Sequence, residues 1–94
     1  MDIKEILAER EETHGSYEVT AEIIQDLKRA MQLSPNWDEM PGTMREALEM
    51  TQHKIGRILS GDYRHLDSWA DIIGYNQLVV NILERDSSED VVAT

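Results

Sequence analysis

The chain predicts an all-α, four-helix single domain, and three observations carry the prediction. Apolar residues recur at the three- and four-residue spacing of amphipathic helices, turn-forming pairs separate the periodic segments, and strand-like alternation is absent. With 94 residues there is room for one domain, which at this size buries only about 60–65% of its unfolded surface. Self-association is the natural remedy for so small a core.

The first helix starts at Asp2, with Glu5 three residues on as a capping pair, and Ile3, Ile6 and Leu7 give it one apolar side. His14-Gly15 ends it. Ser16 caps a second helix to about Leu33, with Thr20, Ile24, Leu27 and Met31 in one stripe and Ile23 and Ala30 beside it. Ser34-Pro35-Asn36 stops that helix, because the residue before a proline is pushed out of helical geometry. Trp37 and Met40 lie in the connection, where a tryptophan plugs one end of a helical core. After the Pro41-Gly42 turn, Thr43 and Glu46 form a capping box for a third helix. Its apolar side is Met44, Ala47, Leu48, Thr51, Ile55, Ile58 and Leu59, and Gly61 is expected as a left-handed residue closing it. A loop from Asp62 to Leu66 leads to a fourth helix, capped by Asp67 or Ser68 and running to about Glu84. The helical domain is therefore placed at residues 1–85, and residues 86–94 read as a disordered acidic tail.

Two helix faces are unusual. At about 100° per residue, the fourth helix carries Trp69, Ile72, Ile73, Val80 and Leu83, with Asn76 among them, on its main apolar face. Asp71, Tyr75, Leu78 and Ile82 occupy roughly the opposite side, so a second copy of the chain is expected to cover it. On the third helix, Glu46, Glu49, His53 and Arg57 oppose the apolar stripe with Lys54 at their edge. That face is either a solvated ladder of charges or, beneath a partner helix, the wall of a cleft in which His53 could titrate near neutrality or meet phosphate.

The balance of 19 acidic against 9 basic residues gives a formal charge of −10, which opposes direct nucleic-acid binding. There is no cysteine, excluding disulfides and thiolate metal sites. Charges in Met1-Asp2-Ile3-Lys4-Glu5 do not fit a signal peptide, and no apolar run reaches the roughly 18 residues of a membrane span. A cytoplasmic protein is expected. No zinc spacing, Ser-His-Asp set, Gly-x-Ser-x-Gly or phosphate loop occurs, so the catalytic residues stay unknown. His14 and Tyr17 sit at a helix start where an anion would be favoured, although a His-Gly pair also serves as a plain helix break. Trp69 is assigned to the core, with base stacking as the alternative. His65 has no evident partner.

Thr13-His14-Gly15, Asn36-Trp37, Arg45-Glu46-Ala47-Leu48, His53 to Gly61 and Asp67 to Tyr75 together resemble a family of small phage and prophage proteins of uncharacterised function. The resemblance spans about residues 9 to 83. That family is similar in turn to nucleotide-modification-associated phage domains and to all-helical nucleotide pyrophosphohydrolases of the MazG and dUTPase type. These pair a Glu-Glu-x-x-Glu helix with a Glu-x-x-Asp helix around magnesium and work as dimers or tetramers. The resemblance implies a bacterial-host cytoplasmic setting and a magnesium site at Glu46, Glu49 and Asp71, with Asp67 filling in. It implies a nucleotide or related phosphate ligand, with Lys54 and Arg57 on phosphates and Tyr17 or Trp69 against the base. His14, His53 and Tyr75 complete the candidate ligand set. Arg45 and Ser68 stand where that pattern has acids, which puts catalysis in doubt and admits a degenerate binding protein. The rival expectation is a non-catalytic acidic interaction protein that occupies a basic surface on a host defence or nucleic-acid-binding factor by charge mimicry.

Overall fold

The structure, a computed structural model, describes the backbone of residues 2–93 and the side chains of residues 2–88. Among these residues it has four α-helices and no strand: α1 (Ile3–His14), α2 (Tyr17–Gln32), α3 (Gly42–Ser60) and α4 (Leu66–Ala93), with a 3₁₀ turn at Trp37–Glu39. α3 is the central element and packs against α4, α2 and α1. Its antiparallel pairing with α4 sets Thr51 opposite Asn76 and Lys54 opposite Asp71. No helix among the described residues is long and apolar enough to cross a membrane.

Asp2 caps α1 as its position suggests, accepting the Glu5 N–H at 3.0 Å. The stripe on α2 is also found, with Thr20 buried and Ile23, Ile24, Leu27 and Met31 half-buried, although Ala30 is exposed. Trp37 is buried beneath the α2–α3 connection, and the Arg45 guanidinium lies 5.8 Å from its ring centroid.

Several helix ends differ from expectation. Ser16 occupies the N-cap of α2 without a side-chain capping bond. The Thr43–Glu46 capping box does not form, because α3 begins two residues earlier than a helix capped by Thr43, at Gly42 with Pro41 as its cap. The Pro41 carbonyl accepts the N–H groups of Met44 and Arg45 at 3.1 Å, so Thr43 is already inside the first turn. α4 starts at Leu66, ahead of both expected caps, and continues beyond Glu84 to Ala93.

Gly61 is not left-handed; its φ is −123°. What restricts this position is space, since a Cβ would stand 2.4 Å from the His14 carbonyl carbon and the Thr13 oxygen. The left-handed glycine is Gly15, at φ 83° and ψ −176°, where a Cβ would lie 2.0 Å from the Ser60 oxygen. The α1–α2 turn and the end of α3 are therefore in backbone contact, fastened by the Asp62 N–H on the Thr13 oxygen at 2.8 Å. Ser60 Oγ lies 2.6 Å from Thr20 Oγ1, and both hydroxyls reach the His14 carbonyl, at 2.9 and 3.0 Å.

Small and polar residues dominate the interior. Ala47, Gln52 and Gly56 are the buried residues of α3, and Ser68 is buried at the start of α4. Gly56 admits α2 so closely that a Cβ there would come within 2.5 Å of Ile24 Cγ1. Beside it, Gln52 Nε2 donates to the Ile24 carbonyl at 3.0 Å. The Asn76 amide donates to Thr51 Oγ1 and to the Ile72 carbonyl, satisfying both its protons.

Gly15→Ala is expected to destabilise the domain by about 3 kcal/mol or more, from a backbone region closed to other residues plus the clash with Ser60. Tyr17→Ala, at an exposed side chain two residues away, is expected to stay within about 0.5 kcal/mol. Urea unfolding of the two variants measures both.

Candidate functional site

Helices on both sides of α3 change the character of its charged face. His53, Lys54 and Arg57 are half-buried instead of forming a fully solvated ladder, because α2 leans on one flank and α4 on another. Lys54 Nζ is 2.9 Å from Asp71 Oδ2, and among the described residues this is the one ion pair that joins two helices. The Lys54 side chain is only 13% exposed while that of Asp71 is 47% exposed. The carboxylate thus stands at the surface and draws the ammonium along the helix interface.

The fastening of the α1–α2 turn onto the end of α3 brings His14 into the same neighbourhood. Its ring meets that of His65 edge to face, with centroids 6.0 Å apart, and its buried Nδ1 has no hydrogen-bond partner. Burial lowers the His14 pKa below the ordinary 6.5, and the positive charges of Arg57, His65, Lys54 and Arg10 lower it further. His53 is lowered in the same way, first by burial and then by Arg57, Lys54 and Lys28. Every charged neighbour acting on the two rings is a cation. A chain of formal charge −10 has therefore gathered a local excess of positive potential around the second half of α3.

The other candidates are dispersed. Tyr17 is exposed on the α1–α2 side, beside Arg10 and Gly15 in a shallow recess. Trp69 is not core: it is half-exposed, and its Nε1–H donates to the Tyr63 carbonyl at 2.8 Å. It turns outward because the buried line of α4 runs through Ser68 and the half-buried Ile72, Tyr75, Val79 and Ile82. Tyr75 lines an apolar groove with Leu78, Val79 and Ile82 against Glu46 and Ala47. Glu46 therefore sits beside the middle of α4, about 12 Å along the α3 axis from Lys54 and its partner Asp71.

Glu46, Glu49, Asp67 and Asp71 are thus strung along two helices. Among the described residues no group of three or more His, Asp or Glu side chains is close enough to hold a metal ion. The residues that stand where the pyrophosphohydrolase pattern has acids have other work: Arg45 stacks on Trp37 and donates to the Asp38 carbonyl, and Ser68 is buried. Arg10 and His65, which sequence reasoning left outside the site, belong to the cationic cluster. His65 is brought there only by the contact between two distant turns, of which the glycines of His14-Gly15 and Ser60-Gly61 were the one sequence signal, whereas Arg10 lies four residues before His14 on α1.

Comparison of the chain with protein-family models, curated protein sequences and solved structures yields no match. The functional reading therefore stands on the residues themselves.

Two outcomes follow from this geometry. Asp71→Asn removes the charge facing Lys54 and is expected to lower stability by about 1 kcal/mol without any ligand, between the values for exposed and buried pairs. Because His14 and His53 have lowered native pKa values, the unfolded chain binds protons more readily than the folded one. Their contribution to stability is complete above the ordinary value of 6.5 and is lost as pH falls from there through the native values. Denaturant midpoints measured from pH 8 to pH 5 should show this decline, and a His14→Gln/His53→Gln variant should flatten it.

Proposed function

We propose that the protein binds a phosphate-bearing small molecule, a nucleotide or a close relative, through the cationic cluster of His14, His53, Lys54, Arg57 and His65. The observation that carries this reading is geometric: the α1–α2 turn is fastened to the end of α3, so that the His14–His65 ring pair joins the half-buried His53, Lys54 and Arg57 in an otherwise strongly acidic chain. Such a cluster is costly in isolation, and an anion relieves it. Arg57 is the foremost charge acting on both rings and supplies a planar fork suited to phosphate oxygens. Lys54, held by Asp71, supplies a second point charge, and each imidazole gains a donor when it is protonated.

The phage-family resemblance agrees with this reading, since Lys54, Arg57 and Asp71 come from its two most specific blocks and His14 from another. The proposal is for binding in a degenerate relative of the nucleotide pyrophosphohydrolases, with Arg45 and Ser68 in structural roles. Magnesium enters as the counter-ion of the phosphate, and no step is assigned to a metal held by the four acids. The alternative, an acidic protein that docks on a basic host factor, is favoured by the many carboxylates of the outer surface. It calls for an unbroken acidic face, however, and the cluster interrupts one.

Anion binding should raise the pKa of both imidazoles, so affinity for pyrophosphate or ATP is expected to strengthen as pH falls from 8 to 6. NMR titration of the His14 and His53 ring signals tests this, and Arg57→Gln should weaken binding by at least about tenfold, the loss of one charge-assisted bond. Ring signals that stay unmoved at millimolar pyrophosphate and ATP, with and without magnesium, would falsify the reading.

A further inference from the structure

The face of α4 turned away from α3 carries Leu66, Trp69, Ile73, Val80 and Leu83, which are 76%, 51%, 70%, 44% and 48% exposed. With Asn76 between Ile73 and Val80, these positions are spaced three, four, three, four and three residues apart. That is the a/d repeat of a coiled-coil seam, sustained here by one helix with nothing packed on it. The bundle draws instead on an adjacent line of the same helix, through Ser68, Ile72, Val79 and Ile82. The seam thus lies beside the face that holds the chain together and shares with it only Asn76, whose amide reaches Thr51 of α3.

From this we propose that α4 is a dimerisation helix, and that its seam is covered by the same seam of a second copy running antiparallel. Surface area points to a partner of this size. A folded monomer of 10.8 kDa exposes about 5,500 Å². This chain exposes 7129 Å², an excess of roughly 1,600 Å², where a stable interface needs about 800 Å² from each partner. The radius of gyration agrees, at 16.9 Å against about 12 Å for a compact chain of this length. No large side chain is fully buried among the described residues, so the separate chain has little core with which to hold so exposed a helix.

Charge selects the partner's direction. Parallel pairing would lay the exposed Glu84 beside its own counterpart, with Asp86 already paired to Arg85 of its own chain. Antiparallel pairing carries Glu84 to Arg64 and His65 at the start of the partner's helix, and opposes the two helix dipoles. With a positions facing d positions, Leu66 meets the partner's Leu83, Trp69 meets its Val80, and Ile73 meets its Asn76. Large residues then face smaller ones. Asn76 can enter the seam because its amide protons are already donated within its own chain.

The inference is tested apart from the anion site, because the seam positions to be altered, Leu66, Ile73, Val80 and Leu83, are not in the cationic cluster, and only His65 is common to the two arguments. Sedimentation equilibrium of the full chain should give a dimer at micromolar concentration. Ile73→Glu and Val80→Glu, at exposed positions, should each weaken association at least tenfold while far-UV circular dichroism at matched concentration retains the helical signal. For direction, the chain has no cysteine of its own. Leu66→Cys paired with Leu83→Cys in one chain should cross-link the dimer under mild oxidation, and Leu83→Cys alone should not. A monomer at 100 µM, or a dimer indifferent to both glutamates, overturns the proposal, and rapid cross-linking of Leu83→Cys alone overturns its antiparallel form.

Discussion

Backbone contact between the α1–α2 turn and the end of α3 is the constraint on which the rest of this structure depends. It requires two glycines that meet across 46 residues of chain, Gly15 in a conformation closed to other side chains and Gly61 with no room for a Cβ. Around them the Ser60 and Thr20 hydroxyls share the His14 carbonyl, and the Asp62 N–H takes that of Thr13. α1 has no buried residue of its own. Its position is therefore set at this junction more than by apolar burial, and with it the position of His14.

The same economy governs the interior. α3 approaches α2 through Gly56 and Gln52 and α4 through Thr51 and Lys54, so the helices meet over small and polar groups whose hydrogen bonds are met locally. Close approach in this manner leaves little room for large core side chains, and Trp37 is the one aromatic residue buried among the described residues. It also brings charge inward. With α2 and α4 flanking the basic half of α3, the cations at 53, 54 and 57 are half-desolvated, and the two imidazoles among them are held toward neutrality. Half-buried cations and a weak apolar core are then two results of one packing arrangement.

α4 has to serve two surfaces. One line of it closes the bundle over α3, while its wider apolar stripe faces outward from Leu66 to Leu83. A helix with both properties is suited to the centre of an assembly, where the second surface supplies burial that the single chain lacks.

Helix number, the breaks at His14-Gly15 and Ser34-Pro35, the stripe on α2 and the burial of Trp37 were legible in the sequence, because periodicity and turn chemistry act over a few residues. That α4 has two apolar faces was legible as well. Which of them meets α3 was not, since the line through Ile72, Val79 and Ile82 and the stripe through Trp69, Ile73 and Val80 are both apolar. The capping box at Thr43 failed for a related reason: a local pattern competed with Pro41, whose fixed geometry started the helix two residues earlier. The separation of Glu46 from Asp71 and the arrival of His65 beside His14 were not legible, because they depend on how far one helix slides along another and on which turns touch. Local residues fixed what each segment is; the tertiary structure alone decided which charges share a space, because that depends on contacts between segments distant in the chain.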